Sequence, residues 1–91
     1  MAKITHKIRI TNDRTSFATL YLEPWGKDYV MFPNDEFEII AADVEETFYF
    51  HLCHMDKDIL VYAEGDRNAY PSIYQNENQL SCGHNRQEDS Q

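Results

Sequence analysis

Little in this sequence bends, staples or charges the chain positively: it holds three glycines, three prolines, two cysteines and eight lysines and arginines in 91 residues. Three scattered glycines leave no glycine-rich loop to cradle a phosphate, which removes the common nucleotide-binding classes. Cys53 and Cys82 fall far short of the dense disulfide framework of a small secreted domain. No Asn-x-Ser/Thr acceptor occurs either, so the expectation is a cytoplasmic chain with free thiols, a Cys53–Cys82 bridge being the alternative. Sixteen acidic residues against eight basic ones give a net charge of −8. Phosphate neutralisation dominates nucleic-acid affinity, so an acidic domain is repelled by nucleic acid and by anionic membrane surfaces. Long apolar runs are also missing. The longest, Ile59 to Ala63, has five residues, against the ~20 that a membrane helix needs. The opening residues Met1 to Lys7 contain no apolar run, so no signal peptide is expected.

What is abundant is aromatic and branched apolar residues in alternation. Hydrophobic residues make 42% of the chain and include six tyrosines and five phenylalanines, enough for one packed core and too few residues for two. Apolar residues recur with a period of two in short runs separated by turn-forming side chains, the signature of half-buried strands. Ile4, Ile8 and Ile10 share one parity; so do Ala18, Leu20 and Leu22; so do Phe37, Ile39 and Ala41; so do Phe48, Phe50 and Leu52. Further runs lie at 29–32, 59–63, 70–75 and 79–82, with turns at Pro24–Gly26, Pro33–Asp35 and Asn76–Asn78 and an acidic connection at Asp43–Glu46. Ser72-Ile73-Tyr74-Gln75 has the spacing of a capping box that opens a helix, but the strand reading is preferred. The pattern predicts an all-β fold, a small antiparallel β-sandwich or partly closed barrel of about 7–8 short strands. Residues 1–82 are expected to form the single β domain and 83–91 a flexible polar tail.

The segment Leu22-Glu23-Pro24-Trp25-Gly26 resembles that of a set of small bacterial proteins built around the same five residues. In those proteins an extended stretch, a Pro-containing turn with an acidic residue and an alternating strand follow, a form that Asp28 to Ile39 shares, and Ile59-Leu60-Val61-Tyr62 is similar to a later strand. The likeness covers about residues 17–64, with Asn34-Asp35 where those proteins often carry glycine. It implies an intracellular bacterial β-domain and brings no activity with it.

Two constellations carry the functional expectations. On the parity opposite the core stand Phe17, Thr19, Tyr21, Tyr49, Leu60 and Tyr62, more apolar than a solvated face requires, and contiguous apolar patches mark interaction sites. Tyr21, Tyr49 and Tyr62 are the expected contact residues, with a second copy of the chain or another protein as partner. Tyrosine faces also stack on sugars, so a small-molecule ligand stays open. The second constellation is His51, Cys53, Cys82 and His84: each pair is two apart, which on a strand puts both side chains on one face. Cysteine and imidazole suit tetrahedral zinc, so a zinc domain is the alternative, although the tight Cys-x-x-Cys knuckles of specific zinc sites are missing. No cofactor is otherwise expected. Cys53 and His54 are adjacent and would point to opposite faces, which removes them as a nucleophile and base; the chain is not expected to be an enzyme.

Overall fold

Alternation becomes strands from Ile4 to Gln79. The computed structural model describes residues 3–81, so Cys82, His84 and the expected tail lie outside the described residues. Eight strands follow one another with no helix between them: β1 (Ile4–Thr11), β2 (Ala18–Glu23), β3 (Lys27–Met31), β4 (Glu36–Val44), β5 (Tyr49–His54), β6 (Asp58–Glu64), β7 (Ser72–Gln75) and β8 (Asn78–Gln79). They build two four-stranded sheets, in the orders β1-β4-β7-β8 and β3-β2-β6-β5. The sheets do not close into a barrel, so of the two expected architectures the sandwich is the one formed. Five of the six ladders are antiparallel, but β2 and β6 pair in parallel, with Leu20 opposite Ile59 and Leu22 opposite Val61. No helix is long and apolar enough to cross a membrane among the described residues.

The core lies between the sheets. Ala18, Leu20, Leu22, Met31, Phe37, Ile39, Val61 and Ile73 are buried there, with Ile10, Tyr29 and Ile59. Trp25, half-buried, packs against this cluster and meets the Tyr70 ring edge-on at 5.3 Å. A smaller cluster of Ala41, Val44, Phe48 and Ala69 continues it. Burial is uneven among the sheet edges: Ile4 of β1 and Leu52 of β5 carry the core parity yet are each 37% exposed, whereas Tyr29 and Met31 of the edge strand β3 are buried.

Among the described residues Asn12 is the one buried polar residue, 1% exposed, and its side-chain and backbone groups are bonded. Its Nδ2 donates to the Ser16 and Met31 carbonyls at 3.1 and 2.9 Å, its Oδ1 accepts from the Arg14 N–H, and its backbone bonds to Asp35 and Asn34. The side chain thus ties the β1–β2 turn to the end of β3, and the backbone of the same residue ties it to the β3–β4 turn. A buried amide is tolerated only when so satisfied.

The strand boundaries moved where alternation breaks. Between Ile4 opposite Val44 and His6 opposite Ala41, β4 holds one extra residue, and Asp43 takes φ 57°. This β-bulge shifts parity, so that Ala41 and Val44, three apart, are both buried. The stretch expected to be an acidic connection from Asp43 is therefore still strand at Val44. In the β3–β4 turn Asn34 takes φ 71°, keeping the left-handed conformation that glycine would supply; asparagine is among the few side chains that tolerate it. The Glu23–Pro24 peptide is cis and Gly26 has φ 71°. Ser72–Gln75 is strand, as preferred over the helical reading.

Candidate contact face

Burial of one parity on β3, β2 and β6 turns the other parity outward, and the ladder to β6 carries the same face onto β5. The ladder registers then set the outward residues in rows across the sheet. One row reads Asp28, Tyr21, Leu60, Cys53; the next reads Glu23, Tyr62, His51; and Glu64 stands opposite Tyr49. Toward the other end, Val30, Thr19 and Asp58 form a further row. Phe17 and Phe32 follow one step beyond the paired Ala18 and Met31, exposed by 56% and 42%. The structure thus brings Tyr21, Tyr49 and Tyr62 to one outer face, from three adjacent strands. Tyr21, Leu60 and Tyr62 are half-buried and Tyr49 is 51% exposed, because side chains on a pleated surface shield one another.

Charge is confined to the margin of this face. Asp28 sits on an edge strand, Glu23 and Glu64 close one end of their strands, and Asp58 opens β6. Among the described residues of these four strands no lysine or arginine has the outward parity. The face is an uncharged aromatic centre with an acidic rim.

Glu64, the last residue of β6, organises one corner. Its Oε1 accepts a 2.6 Å hydrogen bond from the Tyr49 hydroxyl, and its Oε2 lies 3.6 Å from Nδ1 of His51. Nε2 of His51 in turn lies 3.8 Å from Sγ of Cys53, and the His51 ring stands 5.7 Å from that of Tyr62. The bond to Glu64 and then the carboxylate's charge hold the Tyr49 phenol above its ordinary 10.0. Glu64 was half legible, since it is two residues after Tyr62 and so shares its face; its partner Tyr49 is supplied by register, which alternation does not encode.

Of the four expected metal ligands, His51 and Cys53 are brought together, and Cys82 and His84 lie outside the described residues. Among the described residues no group of three or more histidine, cysteine or acidic side chains is arranged to hold a metal ion. Cys53 is a free thiol.

Two hollows lie elsewhere. A groove of about 470 Å³ runs between β3 and the β7–β8 hairpin, where Lys27 bonds to the Tyr70 hydroxyl and its Nζ lies 4.2 Å from that ring's centre. A hollow of about 310 Å³ lies beside Arg9, which stands 3.7 Å from both Glu36 and Glu38. In each the cation already has a partner within the chain. The chain matches no protein-family model, no curated protein and no solved structure.

Proposed function

We propose that this domain is a non-enzymatic interaction module whose outer β3-β2-β6-β5 face binds a protein surface, in the first instance a second copy of the chain. The observation that supports the reading is the convergence of Tyr21, Leu60, Tyr62 and Tyr49 on one outward surface with acids only at its margin. Tyrosine is enriched at interfaces because it offers a large apolar body and a polar tip at low entropic cost.

Size and charge set the strength of such a contact. Four strands of five to seven residues, about 4.8 Å apart with about 3.3 Å per residue, span roughly 20 Å by 20 Å. That is small beside the ~800 Å² per partner of a standard interface, so association is weak, with dissociation constants in the micromolar range or above. Two copies would also set acidic rims against each other, a repulsion that salt screens. Self-association should therefore strengthen as salt rises, whereas a basic partner would be released by salt.

Light scattering across a concentration series tests the reading. The wild-type mass should climb above one chain at high concentration, and Tyr49→Ser with Tyr62→Ser should abolish the climb while leaving the thermal unfolding transition in place. Equal masses for wild type and double variant would refute it.

A further inference from the structure

The groove between β3 and the β7–β8 hairpin holds a lysine where the alternation calls for an apolar residue. Lys27 stands opposite Leu22 on the ladder and shares the inward parity of Tyr29 and Met31. It is half-buried, and its ammonium bonds to the Tyr70 hydroxyl, with Nζ 4.2 Å from that ring's centre. That partner is neutral and leaves the charge in place. Among the described residues no carboxylate pairs with Lys27 and no acid lines the groove, although the chain carries sixteen acids. The hollow beside Arg9 differs, because two carboxylates, Glu36 and Glu38, already face that cation.

Donors therefore converge on the groove. An ammonium has three N–H groups and gives one to Tyr70, while the hydroxyl that accepts it keeps its own proton to donate. Ser72 adds a second hydroxyl, and Leu80 with the buried Tyr29 and Ile73 supplies an apolar wall. The volume is about 470 Å³, within the ~300–1,000 Å³ of small-molecule sites, which join apolar walls to a few placed polar groups. We propose that this groove binds a small monocarboxylate with an apolar body. The carboxylate accepts from Lys27 and the Tyr70 hydroxyl, bonds that charge strengthens, and the body lies against Leu80, Tyr29 and Ile73. One negative charge meets one lysine; a dianion such as phosphate would add an unmatched charge to a chain already at −8. The inference does not depend on the contact-face reading, since Lys27 and Tyr29 have the parity opposite to that face.

Hexanoate and hexanol are the probes, since they share an apolar body and differ in charge. Each is titrated into the full chain at neutral pH and followed through the backbone amide resonances, at a dilution where the mass is that of one chain. Hexanoate should give saturable shifts at Lys27, Tyr29, Ser72 and Leu80 that level off in the millimolar range or below. Hexanol should bind about tenfold more weakly, the loss expected when a hydrogen bond to a charged group is removed. Lys27→Met keeps the side chain's length without its charge; it should weaken hexanoate about tenfold and leave hexanol unchanged. Tyr70→Phe should weaken hexanoate by a smaller factor. Absence of saturable shifts at the groove, shifts confined to Tyr21 and Tyr62, equal affinity for the two probes, or undiminished hexanoate affinity in Lys27→Met would overturn the proposal. Should a variant not fold, the comparison of the two probes on the wild-type chain decides alone.

Discussion

Tyr49 and Glu64 stand opposite each other on β5 and β6, and the Tyr49 hydroxyl donates a 2.6 Å hydrogen bond to the Glu64 carboxylate. Because that bond and the negative charge both favour the neutral phenol, its titration moves above the ordinary 10.0. A group whose folded value is raised contributes stability below its unfolded value and loses it as pH rises through the folded one. Phenolate absorbance should therefore show a late-titrating tyrosine that is missing in Tyr49→Phe and returns to the ordinary range in Glu64→Gln. Identical titrations in Glu64→Gln and wild type would remove the bond.

Asp66 gives the opposite sign. It accepts from the Glu45 N–H at 2.9 Å and the Asn68 N–H at 3.0 Å, and these bonds hold its carboxyl below the ordinary 3.8. The stability they give is present above the unfolded value and lost as pH falls through the folded one. Asp66→Asn should melt lower at neutral pH and lose less on acidification below about pH 4. Parallel melting curves for the two proteins across that range would contradict this.

Gly65 admits no side chain. It has φ 87°, and a Cβ there would come 2.0 Å from the Thr47 carbonyl oxygen, which is backbone and cannot swing away. Gly65→Ala combines left-handed strain with displacement of the segment entering β5 and should cost about 2–3 kcal/mol in denaturant unfolding.

The β7–β8 turn carries the reverse opportunity. Asn76 and Glu77 both have positive φ, 52° and 70°, as two-residue hairpin turns with a right-handed strand twist require. Asparagine tolerates this and glutamate does not. Glu77→Gly should raise stability by about 1 kcal/mol, read as a higher denaturation midpoint with an unchanged slope.

Alternation made the eight strands and the inward face legible, because burial of one parity is written into residues such as Leu20 and Leu22. It also separated Tyr21, Tyr49 and Tyr62 from the core. Strand direction was not legible: β2 and β6 are parallel because the chain crosses between sheets between them, and a period of two is the same read either way. The bulge at Asp43 was hidden for a related reason, since one extra residue looks like the end of a strand until Val44 is seen to be buried. The sequence placed His51 and Cys53 on one face but did not join Glu64 to them. Residues two apart share a face, and Glu64 joins them through register alone.

The central claim is tested most directly by sedimentation equilibrium of the wild-type chain over a range of concentration at low and high salt. The account predicts a weak, reversible increase in mass above one chain that grows as salt screens the acidic rims around Glu23, Asp28, Asp58 and Glu64. A single-chain mass at every concentration and salt would contradict self-association through the tyrosine face.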